Sequence, residues 1–284
     1  MYKTTDFASR LNIANWTKSP KWLKSKCQIL QKQVLRLFIV GLLVGISPSI
    51  GFTQTVYSQN NDFWLHYFGK NMLTPKLSFT LEGTFRFANG LSEKQQWFIR
   101  PSLDYQLTKR LVGSIGYTHY DTYVYGNPAI NKTTIPENHL WIQGQFVHQF
   151  GDFKMTNRVR DENRYVGIAV KTVDGSYVID HFDYRNRLRY MLLLNYTLLK
   201  KDSKTTTLFG IIGDEAFFNI GSNAGATFMN QNRIIAGFGY NLNPQHQLQV
   251  SYIHQNIWNF SNSILENNPT VRLSYYTNFS FVRK

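Results

Sequence analysis

Hydrophobic and polar residues alternate with period two along most of the chain after residue 62, with almost no helical periodicity. Residues 76–88 (KLSFTLEGTFRFA) place Leu and Phe on one face and Ser, Thr, Glu and Arg on the other. Such alternation is typical of β-strands with one apolar face. It recurs strictly in 95–107, 182–198 and 270–282, and less strictly in 110–122, 138–150, 152–166, 205–220, 229–242 and 246–258. The pattern predicts ten strands, with residues 63–68 as a short candidate eleventh.

The connections between these segments alternate in length. Short turns fall at 108–109, 151–152, 199–204 and 243–245, and loops rich in Asn, Gly, Ser and Thr fall at 89–94, 123–137, 167–181, 221–228 and 259–269. Outer-membrane barrels have this arrangement, with short periplasmic turns and longer extracellular loops. We therefore predict an all-β fold, an antiparallel transmembrane β-barrel of about 10–12 strands over residues 59–284. Ten strands would leave both ends of the barrel on the periplasmic side.

Aromatic residues near the segment ends fit the interfacial girdles of such a barrel. They are Trp97, Tyr117, Tyr123, Trp141, Tyr165, Tyr184, Tyr240 and Trp258. A soluble β-sandwich or lipocalin-like barrel is the alternative, but its strands are shorter and their apolar faces form one small core. Here nearly every apolar face reaches the roughly 9–11 residues that cross a bilayer at a tilt. The length of these faces favours the membrane barrel.

Residues 1–58 read as an export signal that is cleaved from the mature protein. Six Lys and Arg residues between 18 and 36 precede the apolar run 37–46, LFIVGLLVGI. Ten apolar residues are too few for a membrane-spanning helix, but they match the core of a signal peptide. Small residues at Ser49 and Gly51, or at Val56 and Ser58, offer two cleavage sites, and the sequence does not choose between them.

Composition and charge narrow the function classes. The single cysteine, Cys27, excludes a disulfide framework or a cysteine-based zinc site within one chain. The mean hydropathy of −0.32 excludes a multi-span helical membrane protein. Of 31 Lys and Arg and 17 Asp and Glu residues, eight and one lie in 1–58, so the remainder carries a net charge of +7. Much of the basicity belongs to the leader, and no nucleic-acid partner is expected.

If the apolar faces meet lipid, the opposite faces line the interior, and any function must lie there. These faces carry ten arginines against four carboxylates. Two interpretations compete: ion pairs that fill a narrow lumen, and a binding or passage site for small anionic solutes. The predicted lumen-facing charged cluster consists of Glu82, Arg86, Arg100, Asp104, Arg158, Arg160, Glu162, Arg164, Arg185, Arg187, Arg189, Glu215, Arg233 and Arg272.

The sequence offers little support for an enzyme. Some outer-membrane barrels hydrolyse lipids with a Ser-His pair on the outer wall. The fragments around His119 and His254 invite this comparison, but position 121 is Asp and position 256 is Asn, so neither supplies a serine at i+2. We predict no catalytic residues, no metal site and no cofactor. A lipid hydrolase or deacylase remains the alternative.

Several blocks resemble a known family when they are taken in order along the chain. They are Asp62–Trp64, Gly116-Tyr117, Glu137–Gln143, Arg158–Arg164 (RVRDENR), Tyr184–Tyr190 (YRNRLRY), Asp214–Asn219 and Asn230–Arg233. Over about 62–282 the chain resembles the outer-membrane β-barrel family of Gram-negative bacteria catalogued as domain of unknown function 2490. Asp161 departs from an alternating Arg/apolar strand, and we expect it near the loop end.

The resemblance implies the barrel fold and the outer membrane, but the family has no established activity. Together with the residues, it predicts a non-enzymatic pore or envelope structural protein with an arginine-rich lumen. The expected partners are outer-membrane lipids and lipopolysaccharide, small anionic solutes, and the barrel-assembly machinery during insertion.

Overall fold

The computed structural model describes residues 56–200 and 207–282. Contacts within the chain divide it into two units, 1–53 and 54–284. The first unit lies outside the described residues, and so does the predicted export signal apart from residues 56–58. All described residues belong to the second unit.

The described residues form twelve β-strands. In this part of the chain, no helix is long and apolar enough to cross a membrane. The strands are β1 (Val56–Gln59), β2 (Asp62–Met72), β3 (Leu77–Ala88), β4 (Glu93–Gln106), β5 (Leu111–Thr122), β6 (Ile135–Phe150), β7 (Phe153–Lys171), β8 (Tyr177–Lys200), β9 (Thr207–Ile220), β10 (Met229–Asn241), β11 (His246–Trp258) and β12 (Ile264–Ser280).

Strands β2 to β12 form a closed barrel of eleven strands. Each pairs antiparallel with the next along the chain, and β12 returns to pair with β2. This closing pair is parallel and runs from Thr270↔Asp62 to Ser280↔Met72. Strand β1 is not one of the eleven barrel strands. It pairs in parallel with the first part of β12, from Val56↔Ile264 to Gln59↔Asn267. The predicted all-β barrel of 10–12 strands is confirmed, with a mixed rather than wholly antiparallel sheet.

The parallel closure corrects one expectation about the chain ends. Residues 63–68 belong to a full strand, β2, and the number of barrel strands is therefore odd. Strand β2 begins at the end of the barrel that carries the connections 89–92, 123–134, 172–176, 221–228 and 259–263, which we call the long-loop end. Strand β12 finishes at the opposite, short-turn end. The first barrel residue, Asp62, and the last, Ser280, therefore lie at opposite rims of the barrel and not both at the short-turn rim.

Two of the predicted loops are largely strand. Strands β7 and β8 have 19 and 24 residues and pair as far as Lys171↔Tyr177, which leaves a connection of 172–176 instead of 167–181. Gly175 turns the chain there with a φ of 89°, a conformation that favours glycine. Strand β12 likewise begins at Ile264, so the predicted loop 259–269 ends at 263. Turn-forming residues inside paired strands caused both errors.

The burial pattern is inverted relative to that of a soluble protein. Large apolar side chains are exposed on the outer wall, while the polar side chains between them are buried inside. Ile99 is 43% exposed and Arg100 next to it is 5% exposed. Trp141, predicted as an interfacial aromatic, points inward and is 3% exposed. Gly116 makes room for it, because a Cβ on that glycine would lie 2.2 Å from the indole.

Candidate functional site

The inward faces of the strands enclose a cavity of about 630 Å³. Twelve of the fourteen residues of the predicted charged cluster line it: Glu82, Arg86, Arg100, Asp104, Arg158, Arg160, Arg164, Arg187, Arg189, Glu215, Arg233 and Arg272. Glu162 is completely buried behind the arginines that bind it. Arg185 lies outside the cavity lining, with its guanidinium 3.8 Å from the ring of Phe260 in the loop 259–263.

Glu162 on β7 is the most enclosed carboxylate of the lumen. Arg187 donates from Nε and Nη2 to its Oε2 at 2.9 and 2.7 Å, and Arg189 donates from Nη1 to its Oε1 at 2.6 Å. Arg160 contributes a third cation at 3.7 Å. Two-point bonding of a planar guanidinium to a carboxylate fixes both side chains. One carboxylate therefore holds three arginines of two adjacent strands.

Glu215 on β9 is a second carboxylate that contacts three arginines, and we call Glu162 and Glu215 the two carboxylate hubs. Arg189 donates to its Oε1 from Nε and Nη2 at 3.1 and 2.6 Å, and Arg158 donates to the same oxygen. Arg233 lies 3.7 Å away. Because Arg189 binds both Glu162 and Glu215, the two hubs form one continuous ion-pair network on β7–β10.

Two further carboxylates are paired on β3 and β6. Glu82 accepts from Arg100 at 2.8 Å and contacts His66 at 3.1 Å. Glu137 accepts from Arg164 and contacts His139 at 2.6 Å. Asp104, by contrast, accepts from hydroxyl groups, Thr80 at 2.5 Å and Ser102 at 3.4 Å. Arg100 and Arg164 thus have one carboxylate each, whereas the five arginines at Glu162 and Glu215 share two.

Aromatic and aliphatic side chains fill much of the space between the charged groups. Trp64 on β2 packs with Ile235 and Ile253, and Leu193 packs against this cluster from β8 on the other side of the barrel. Guanidinium groups stack on the rings: Arg160 lies 4.2 Å from the centroid of Trp141. Such cation–π contacts stabilise cations that are removed from water. The cluster around Trp64 therefore extends along the inner wall from β2 through β11 and β10 to β8.

Arg86 and Arg272 differ from the other lumenal arginines. Neither lies within salt-bridge distance of a carboxylate among the described residues. Arg86 donates to Gln96 at 2.6 Å and lies 4.0 Å from the centroid of Trp64. The Nε atoms of Arg86 and Arg272 are buried without a hydrogen-bond partner.

A segment of the loop 123–134 covers the lumen at the long-loop end. Tyr125 is 6% exposed and donates to Glu266 of β12 at 2.9 Å, and the backbone N–H of Gly126 donates to Glu93 of β4 at 2.9 Å. Burial and the neighbouring Glu266 carboxylate hold the pKa of Tyr125 well above its usual range, so the hydroxyl remains a donor. These bonds tie the loop to two separate strands.

The hairpins β7–β8 and β9–β10 carry the same polar unit twice. Each has an Asp-Glu pair on its first strand and an Asn-Arg pair on its second: Asp161-Glu162 with Asn186-Arg187, and Asp214-Glu215 with Asn232-Arg233. Glu and Arg meet inside the barrel. Asp and Asn meet on the outer wall, at 2.8 Å in the first hairpin and 2.7 Å in the second. Asp161 lies in the middle of β7, opposite Leu188, and not near the loop end as expected.

The two histidines considered for catalysis are on the outer wall. His119 Nδ1 contacts Asn138 at 2.9 Å, and His254 Nε2 contacts Asn267 at 3.2 Å. Among the described residues, no serine hydroxyl hydrogen-bonds to either imidazole. No group of three or more His, Cys, Asp or Glu side chains in the described ranges could hold a metal ion.

The sequence analysis missed several lumenal residues. The predicted lumen-facing cluster does not contain Trp64 or His66, because residues 63–68 look too short for a strand. It does not contain Glu137, because 123–137 looks like a loop. The alternation of Asp62, Trp64, His66, Phe68 and Lys70 was the signal that could have placed them, since all five lie on the inward face of β2. Register with β12 and β3 decides this face.

Comparison with known proteins agrees with this architecture. The family model described as "Protein of unknown function (DUF2490)" matches residues 61–266. The chain belongs to this family. The family assignment that the sequence blocks suggested is thereby confirmed.

One solved structure is similar, the crystal structure of the siderophore receptor PirA from Pseudomonas aeruginosa. It is 11% identical with a TM-score of 0.25, and the match covers 66% of this chain and 32% of the receptor. The chain thus spans about a third of the receptor's length. Among curated proteins, no significant match was found.

Proposed function

We propose that this protein is an integral outer-membrane β-barrel of a Gram-negative bacterium, and that it serves as a non-enzymatic envelope component whose lumen is filled rather than open. Outer-membrane lipids and lipopolysaccharide would surround it, after insertion by the barrel-assembly machinery. The inverted burial pattern supports the location, because an apolar outer wall needs a lipid environment and backbone groups in lipid need a closed sheet.

The single observation that carries the filled lumen is the packing of paired charged side chains and apolar side chains on its inner wall. One apolar cluster extends along the inner wall from β2 to β8 and consists of Trp64, Ile235, Ile253 and Leu193. Next to it, Arg189 binds the carboxylates of Glu162 and Glu215. A wide porin instead keeps an aqueous channel lined by polar residues. These contacts support a barrel that does not let solutes diffuse freely.

Planar-bilayer recording tests the filled lumen. The wild-type protein should give no stable open channel, whereas Trp64→Ala should produce conductance steps with anion preference, because arginines line the space that is freed. Trp97→Ala on the outer wall is the matched control and should stay silent. Large, steady conductance of the wild type would reject the proposal.

Location and topology have their own test. After alkaline carbonate washing, the protein should remain with the outer membrane. In a background without other cysteines, Leu91→Cys and Val173→Cys should react with a membrane-impermeant maleimide on intact cells, because both side chains are exposed at the long-loop end. Lys109→Cys, at the short-turn end, should react only after the envelope is opened. Release by carbonate, or labelling of Lys109→Cys on intact cells, would contradict the placement.

A lipid hydrolase is the alternative from a different class. Its only support is the pair of outer-wall imidazoles, each of which is bonded to an asparagine instead of a serine. Purified protein incubated with phospholipid or lipopolysaccharide should release no fatty acid. Release that disappears in His254→Ala would favour the enzyme.

A further inference from the structure

Three adjacent strands at the parallel seam bring two arginines to the sides of one tryptophan. Arg272 on β12 is directly opposite Trp64 on β2, and Trp64 is directly opposite Arg86 on β3. All three side chains line the lumenal cavity. Neighbouring strands lie about 4.8 Å apart, so the Cα atoms of the two arginines are separated by about 10 Å. Side chains of this length can converge on one small ligand from that spacing.

Among the lumenal arginines of the described residues, these two are the ones with no carboxylate within salt-bridge distance. The acidic residues on the same strands as Arg86 and Trp64 have other partners. Glu82 on β3 binds Arg100 and His66, and Asp62 on β2 accepts from Gln95 at 2.7 Å. A buried cation without a counter-charge is costly. An anion bound between Arg86 and Arg272 would remove that cost and satisfy their unpartnered Nε atoms.

A third guanidinium approaches the same indole from another part of the barrel. Arg233 on β10 lies 5.1 Å from the centroid of Trp64, and Arg86 lies 4.0 Å from it. Arg233 is only partly neutralised, by Glu215 at 3.7 Å. Two guanidinium groups thus lie at this ring, and Arg272 is beside Trp64 in strand register. Forked donors grouped in this way resemble the arginine clusters that recognise phosphate and carboxylate groups in two-point contacts.

We propose that Arg86, Arg272 and Arg233, grouped around Trp64, form a lumenal binding site for a small oxyanion with two or more negative charges, of which inorganic phosphate is the simplest example. The site goes beyond the proposed function, because a filled envelope barrel needs no ligand. All three arginines line the lumenal cavity, which has a total volume of about 630 Å³.

Isothermal titration of the detergent-solubilised mature protein with inorganic phosphate tests this site. The wild type should bind one phosphate per chain. Arg86→Gln and Arg272→Gln should each weaken binding about 10- to 100-fold, the usual value of a charge-assisted contact, and the double variant should abolish it. Arg86→Lys should retain part of the affinity. Heat-modifiable gel migration would verify that each variant is folded.

Two control variants distinguish a specific phosphate site from nonspecific electrostatic attraction of phosphate to the lumen. Lys70→Gln and Lys154→Gln remove cations that line the same cavity on other parts of the wall, and they should change affinity less than threefold. Equal losses in these variants, or no saturable phosphate binding by the wild type, would overturn the site. Arg272 makes no hydrogen bond to the described residues, so R272Q remains informative even if R86Q does not fold. Conductance is measured separately: a conducting wild type would reject the filled lumen without touching this proposal.

Discussion

The wall formed by β7–β10 and the seam formed by β12, β2 and β3 both present arginines to the lumen, but they neutralise them differently. On the wall, Glu162 and Glu215 each face three guanidinium groups, and Arg189 joins the two carboxylates. On the seam, Arg86 and Arg272 flank Trp64 in strand register, and neither lies within salt-bridge distance of a carboxylate among the described residues. Five arginines share the two carboxylates of the wall, so each of these guanidinium groups is held in an ion pair. A wall of shared ion pairs supports the barrel, whereas a seam whose guanidinium groups lie outside ion pairs is suited to a ligand.

The largest effect on the free energy of unfolding is expected at Glu162, and it tests whether the wall supports the barrel. Glu162→Gln removes the charge that holds Arg187 and Arg189 while both remain buried. Uncompensated buried charges typically cost about 3–5 kcal/mol, so the free energy of unfolding should fall by at least about 3 kcal/mol. Urea-induced unfolding in lipid vesicles, followed by tryptophan fluorescence, measures this. An unchanged midpoint would show that the wall network does not support the barrel.

Removing a seam arginine should have a smaller effect on stability. Arg272→Gln deletes a cation that has no carboxylate to leave behind, so the free energy of unfolding should change by no more than about 1 kcal/mol. The same urea titration, without phosphate, compares it with Arg187→Gln on the wall, which should destabilise clearly more. If R272Q destabilises as much as R187Q, the two regions do not differ in the way proposed.

The smallest effect is expected on the outer side of the wall, one residue before Glu162. Asp161→Asn keeps a carbonyl oxygen that can accept from Asn186, which donates at 2.8 Å in the wild type. The change in unfolding free energy should stay within about 0.5 kcal/mol, as for most substitutions away from a buried network. Comparison of this variant with Glu162→Gln in one titration sharpens the contrast between inner and outer faces. A loss of several kcal/mol would place Asp161 inside the ion-pair network.

Strict alternation was sufficient to predict the strands and which residues of each face the lumen. In β4, Ile99 and Arg100 point outward and inward as their order predicts, because successive side chains of a strand lie on opposite faces. The prediction failed where alternation was short or interrupted. Residues 63–68 looked too short for β2, and Gly167 together with the Asp-Gly turn at 174–175 hid the ends of β7 and β8.

By itself, then, the sequence determined the local periodicity, the all-β class and the arginine-rich composition of the interior. Tertiary structure decided the parallel closure of β2 on β12, since pairing between the first and last strands depends on the number of strands and on their register. It also decided which arginines have a carboxylate. Glu162 reaches Arg187, and Trp64 lies opposite Arg86, across a hairpin. Arg272 comes beside Trp64, 208 residues away along the chain, only because the barrel closes there. Ionic attraction depends on distance in space, and only the closed barrel sets those distances.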